Sequence, residues 1–132
     1  MFKIAVLISG NGSNLEALIE ACKKNVINGS VDIIISNNPD AYGIQRAKNY
    51  SIDYKIIDNN RFKTRGDFDR ALLEELEDSD PDLVVLAGFM RILTPVMIEA
   101  FKNKIINIHP SLLPKYPGLD THNSVIKNRD LK

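Results

Sequence analysis

Asn107 and His109 are the residues in this sequence best placed to do chemistry, lying two positions apart in Asn107-Ile108-His109-Pro110 after a short apolar run. On an extended strand such positions point the same way, so an amide and an imidazole converge while Ile108 turns towards packing. The amide N–H₂ can donate to the oxyanion of a tetrahedral intermediate. The imidazole can donate a hydrogen bond or move a proton near neutral pH. Together they suit acyl-type transfer. Pro110, Pro114 and Pro117 stiffen the segment that follows and would hold that geometry. A lone strand-end histidine is more often structural; its pairing with Asn107 and this loop favours function. Zinc is the rival use, but no Cys, His or carboxylate stands at ligand spacing between His109 and His122, and Asp120 alone makes no site. We therefore expect no metal. Ser111 lacks the Gly-x-Ser-x-Gly elbow of a serine nucleophile.

A second constellation, Ser9-Gly10-Asn11-Gly12-Ser13-Asn14, joins the first apolar run to the first helical segment. Glycine permits a positive φ and close approach of a ligand to the backbone. A helix start adds unpaired N–H groups and the positive end of the dipole, which favour a phosphate. Ser13 and Asn14 can add side-chain donors. Leu15 occupies the place of the third small residue of a dinucleotide fingerprint. Ser36-Asn37-Asn38 stands where an acidic residue would take a ribose hydroxyl, and no Gly-Lys-Ser/Thr makes a Walker A loop. A monophosphate fits better than a dinucleotide. The same residues would also serve a tight β–α turn in which Ser or Asn caps the helix.

The elements that must position these residues alternate. Residues 4–8, 31–36, 54–57, 83–87 and 105–108 are short, rich in β-branched side chains and bounded by Gly, Pro, Asn or Asp. They read as strands, and the first, second and fourth have the continuous apolar character of strands covered on both faces. Residues 14–24, 41–50, 64–77 and 95–101 read as helices. The third carries Phe68, Ala71, Leu72, Leu73 and Leu76 on a broad face with acids and bases opposite; the fourth has Thr94 as N-cap and Pro95 at its first position. A further helix is expected over 122–132. This alternation predicts an α/β, Rossmann-like three-layer domain with a mostly parallel sheet and right-handed crossovers. Ligands of such folds bind beyond the carboxyl ends of the strands. With no linker or internal repeat, residues 1–132 are expected to form a single domain, truncated at the C-terminus because nothing follows to cover the last strand.

Composition narrows the function classes. The chain has 132 residues, 44% apolar and 26% charged, as befits a globular domain with its own core. Lys+Arg and Asp+Glu are both 17, so no global charge calls for nucleic acid or an anionic membrane. The apolar run of residues 4–8 is too short for a signal peptide, and nothing approaches a membrane span. Cys22 has no partner for an internal disulfide and reads as a packing residue, fitting a reduced, cytoplasmic setting.

Three stretches carry a family resemblance. Val6-Leu7-Ile8-Ser9-Gly10-Asn11-Gly12-Ser13-Asn14-Leu15, Leu86-Ala87-Gly88-Phe89-Met90-Arg91-Ile92-Leu93, and the run from Asn107 to Gly118 closely resemble the folate-dependent formyltransferases, in particular the phosphoribosylglycinamide formyltransferases of purine synthesis. The resemblance runs in register over essentially the whole chain, and its third stretch is the most specific. It implies a formyltransferase-type fold and a reaction between two small molecules. The amine of glycinamide ribonucleotide attacks the formyl carbon of 10-formyltetrahydrofolate, the cosubstrate. It also implies that Gly12, Ser13 and Asn14 hold the substrate phosphate. Met90, Arg91, Ile92, Leu93 and Asn107 would line the folate site, Arg65 would meet the folate carboxylates, and Asn107 and His109 would be the catalytic amide and imidazole. Without the resemblance, Arg65 reads as a solvated helix-start arginine. A monomer or homodimer is expected.

One departure bears on activity. The family's third catalytic residue is an aspartate near a later Asp-Gly-Gly sequence, and neither Asp120 nor Asp130 matches it. The expectation is that this chain alone shows negligible formyl transfer. Competing readings are a methionyl-tRNA formyltransferase, disfavoured by the absent basic extension, a formyltetrahydrofolate hydrolase, and a non-catalytic nucleotide-phosphate-binding module. An NAD dehydrogenase is disfavoured by Leu15 and the missing acid.

Overall fold

In the computed structural model, which describes residues 2–108, five parallel strands form one sheet in the order β3-β2-β1-β4-β5. The strands are β1 (Phe2–Ile8), β2 (Gly29–Ser36), β3 (Asp53–Ile56), β4 (Leu83–Ala87) and β5 (Ile105–Ile108). Between them run α1 (Ser13–Lys23), α2 (Gly43–Asn49), a short 3₁₀ turn (Asn59–Arg61), α3 (Arg65–Ser79) and α4 (Pro95–Ala100). His109, the proline-rich segment after it and the helix expected over 122–132 lie outside the described residues.

Strand pleating divides the core into two layers. Ile4, Val6, Ile8, Ile34 and Val85 meet Leu15 and Ile19 of α1 and Ile44 and Ala47 of α2 on one face. Ala5, Leu7, Ile33, Ile35 and Val84 meet Phe68, Leu72 and Leu76 of α3 and Met97 of α4 on the other. The fully buried central strands are therefore the continuously apolar ones, as expected for a sheet covered on both sides. A bulge preserves this division. Ile4 pairs with Val31 but Ala5 pairs with Ile33, so the intervening Asp32 drops out of register and stays exposed. β3, at the edge, is mostly exposed, which is why its sequence lacks that continuous apolar run.

The chain moves outward through β1, β2 and β3 with its helices on one face, then returns to β4 with α3 on the opposite face. A constant crossover hand requires this change of face when the direction reverses. It separates the loops after β1 and β4, two neighbouring strands whose chains leave towards opposite faces. A crevice for a ligand opens at such a switch point.

Candidate active site

The glycine turn fills one side of the crevice, and its shape comes from backbone geometry. Gly12 is the N-cap of α1 at φ 81° and ψ 21°, the left-handed region, with no side-chain cap bond. A Cβ there would stand 2.8 Å from the Cα of Gly43, so both strain and sterics require glycine. Gly43 in turn donates its N–H to the Gly10 carbonyl at 3.0 Å, bolting the start of α2 to the turn. With no Ser or Asn side chain capping the helix, the capping alternative is not what these residues do. The first-turn amides of α1 keep the orientation that suits an anion. Gly12 and Asn14 are buried and Ser13 is exposed. Of the three predicted phosphate ligands, only Ser13 presents its side chain openly, and Gly12 would contribute through its backbone.

Arg46 of α2 braces this turn from behind. Its Nε donates to the Asn11 carbonyl at 2.9 Å and its Nη2 to Asn11 Oδ1 at 2.7 Å. Nη1 pairs with Glu16, which balances the one acid in the first turn of α1. The guanidinium also lies over the Tyr42 ring, 4.9 Å from its centroid. Tyr50 extends the cluster, donating to Glu20 Oε2 at 2.6 Å and Glu16 Oε2 at 3.0 Å. Hydrogen bonding to Glu20, then desolvation and the Glu16 contact, push its hydroxyl well above the usual tyrosine range.

Residues 90–93 form the other side of the crevice, and side chains from elsewhere hold them. Met90 N–H donates to Ser9 Oγ at 2.7 Å, and Thr94 N–H donates to Asp69 Oδ2 at 2.7 Å. Between these anchors Arg91 stacks on Phe68, its guanidinium carbon 4.2 Å from the ring centroid, and donates to Asn59 Oδ1 at 3.1 Å. Met90 and Ile92 are left 83% and 72% exposed, whereas Leu93 is buried in the α3/α4 core. The predicted folate wall thus offers Met90, Ile92 and its backbone. Leu93 anchors it from beneath, and Arg91 is turned onto Phe68.

Asn107 stands in register with Leu86 and is exposed, while Ile108 opposite Ala87 is buried. Asn107 thus faces outward and Ile108 inward, the orientations expected of these two positions; His109 lies outside the described residues. Ile105, two residues earlier, packs on the α3/α4 face. By strand alternation Asn107 shares that face with residues 90–93. Arg65 is exposed at the first position of α3, one helical turn from Phe68 and Asp69 and on the same stripe. It stands at the ligand end of the sheet.

Several residues that shape the site were not anticipated. Asp69 is 3% exposed on the core side of α3, so the acids and bases of this helix are not all on its solvent face as the periodicity suggested. A carboxylate placed between Phe68 and Leu72 was the available signal. Asn37, noted in sequence only as a missing acid, is 3% exposed and accepts from Ser9 Oγ at 2.6 Å. Arg46 had no distinguishing signal. Thr94 occupies the N-cap position of α4 as expected, yet its side chain makes no cap bond; its own amide is held by Asp69 instead. Two surface hollows lie away from this crevice. One is lined by Asp53, Tyr54, Lys55, Glu75 and Asp78, the other by Asp58, Arg61, Glu74 and Glu75; acids outnumber bases in each, which disfavours a phosphate or a folate carboxylate. Among the described residues no group of His, Cys, Asp and Glu is arranged to hold a metal, and no helix is long and apolar enough to cross a membrane.

Known proteins share both the sequence and this architecture. Phosphoribosylglycinamide formyltransferase of Escherichia coli (strain K12) is 50% identical over 127 residues, covering 96% of this chain and 60% of that protein. The human trifunctional purine biosynthetic protein adenosine-3 is 40% identical over 125 residues, covering 95% of this chain and 12% of that protein. The crystal structure of glycinamide ribonucleotide transformylase 1 from Symbiobacterium toebii superposes with a TM-score of 0.80 at 44% identity, covering 96% of this chain and 60% of that one. The chain thus spans about three-fifths of the length of the single-function bacterial relatives it matches. The family model described as Formyl transferase matches residues 2–131, glycine turn, β4 loop and Asn107 strand alike, and the chain belongs to that family.

Proposed function

We propose that residues 1–132 form the N-terminal catalytic domain of a cytoplasmic phosphoribosylglycinamide formyltransferase. The observation that carries the reading is a juxtaposition at the ends of neighbouring strands: a helix start without a side-chain cap follows β1, and residues 90–93, tied to Ser9, follow β4 on the face shared by Asn107. The first suits a phosphate and the second a flat heterocycle with hydrogen-bonding edges.

In this mechanism the backbone of Gly12 and the Ser13 hydroxyl hold the phosphate of glycinamide ribonucleotide, with Asn14 supporting the turn. Met90, Ile92 and the backbone of residues 90–93 receive the pteridine of 10-formyltetrahydrofolate, while Arg65 meets its carboxylates. The substrate amine attacks the formyl carbon, giving a tetrahedral intermediate whose oxyanion accepts a hydrogen bond from the Asn107 amide. As the bond from that carbon to the folate nitrogen breaks, His109 takes part in moving the amine proton towards the leaving nitrogen. Formyl glycinamide ribonucleotide and tetrahydrofolate result, with no net proton change and no metal.

Calorimetric titration of the chain with glycinamide ribonucleotide and, separately, with a non-transferring folate analogue tests this. Both should bind, and inorganic phosphate should compete with the nucleotide alone. Nucleotide binding without folate binding would favour a phosphate-binding module, and NADH binding in place of either would sink the proposal.

A further inference from the structure

We propose that Ser9 closes a ring of hydrogen bonds that fixes residues 90–93 relative to the glycine turn. Ser9, Asn37 and Asn59 are then positioning residues for the folate side of the site, an inference that rests on the functional reading above. Met90 N–H donates to Ser9 Oγ at 2.7 Å, and that hydroxyl donates to Asn37 Oδ1 at 2.6 Å. Asn37 Nδ2 donates to Asn59 Oδ1 at 3.2 Å, which also accepts from Arg91 Nη1 at 3.1 Å. Arg91 follows Met90 in the chain, so the path returns to its start. It joins the ends of β1 and β2, the 3₁₀ turn and the loop after β4.

The ring has one consistent direction. Arg91 can only donate, so Asn59 meets it with its amide oxygen; Asn37 must then donate to that oxygen, and Ser9, accepting from Met90, gives its single proton to Asn37. This orients the Asn37 amide with its oxygen towards Ser9 and its NH₂ towards Asn59, whose oxygen receives both remaining donors. Ser9 and Asn37 are 8% and 3% exposed, so water is poorly placed to substitute for a lost member. The ring also holds what packing does not. Met90 and Ile92 point into solvent, and residues 89–94 belong to no helix or strand. Ser9 itself begins the glycine turn, and Asn38 Nδ2 holds its carbonyl at 3.2 Å. The ring therefore sets the distance between the two half-sites across which the formyl group must pass.

The test compares Ser9→Ala, Asn59→Ala and the double variant in the full 132-residue chain, by titration with the folate analogue and with glycinamide ribonucleotide. Each single change should weaken folate-analogue binding by about tenfold, the size of one lost buried hydrogen bond, with nucleotide affinity within about twofold. Members of one ring are not additive, so the double variant should lose no more than the worse single one. Amide exchange of Met90, read by NMR without ligand, should accelerate in both single variants. Asn59 is only half-buried, so its variant keeps the test open should Ser9→Ala not fold. Equal weakening of both ligands, unchanged folate-analogue affinity or additive losses would overturn the ring as a positioning device. If the unaltered chain binds no folate analogue, the functional reading fails; an unchanged Met90 exchange rate in both variants would then overturn the ring separately.

Discussion

The two walls of the crevice are built on opposite plans. The glycine turn has a backbone requirement of its own, Gly12 at positive φ, and α2 closes on it through Gly43 and through Arg46, which grips the Asn11 carbonyl. Residues 90–93 have no such internal frame and hang from Ser9, Asn59, Phe68 and Asp69, which come from the end of β1, the 3₁₀ turn and α3. A fixed anion such as phosphate is well served by a preformed nest of amides. A planar heterocycle needs exposed edges and apolar faces, which a segment held from behind can present. The contrast suggests that substitutions in the glycine turn act locally, whereas the other wall can be damaged from remote positions.

The largest expected effect comes from removing the platform under Arg91. Phe68→Ala deletes a ring that is 1% exposed and should cost about 3–5 kcal/mol of stability, as large core truncations do. It should also weaken folate-analogue binding more than nucleotide binding. Urea denaturation with parallel titrations would check both, and a stability loss below about 1 kcal/mol would show that the platform is not part of the packed core. Gly12→Ala is the complementary break. Its Cβ would sit 2.8 Å from Gly43 at a φ disfavoured for side chains, so about 1–3 kcal/mol of strain should appear. Nucleotide affinity should fall, with folate-analogue affinity retained; loss of both would mean that the two walls are not separately built.

The smallest effect sharpens the comparison from behind the glycine turn. Because Glu20 and Glu16 hold the Tyr50 proton, the folded state keeps it to higher pH than the unfolded chain does. The stabilisation is complete below the unfolded value of about 10 and is lost as pH rises through the raised folded value. Tyr50→Phe should flatten this alkaline decline in the denaturation midpoint while leaving the neutral-pH affinity of the folate side unchanged. An identical decline in both proteins would mean that the cluster does not govern it.

Much of the fold was legible because its elements announce themselves locally. The limits of β4 and β5 coincide with the apolar runs 83–87 and 105–108, and Thr64 caps α3 by accepting from the Asp67 amide at 3.0 Å. Gly12 could be read as a special backbone position because a glycine turn between strand and helix has few uses. The support of residues 90–93 was not legible. Ser9 and Met90 are 81 positions apart, and Asp69 and Thr94 are 25 apart, so neither pairing leaves a periodic trace. Leu93 and Met90 are both apolar, and only packing against α3 and α4 decides which is buried.

Taken alone, the sequence determined the alternation of strands and helices, the glycine turn between β1 and α1, and the Asn107-Ile108 division between exposed and packed side chains. Each follows from periodicity or from a backbone requirement within a few residues. The tertiary structure decided the strand order that places the β1 and β4 loops side by side, the bulge that expels Asp32, and the polar ring that ties one loop to the other. These depend on contacts between distant parts of the chain, where satisfying buried polar groups and filling the core select one arrangement among many that the local pattern allows.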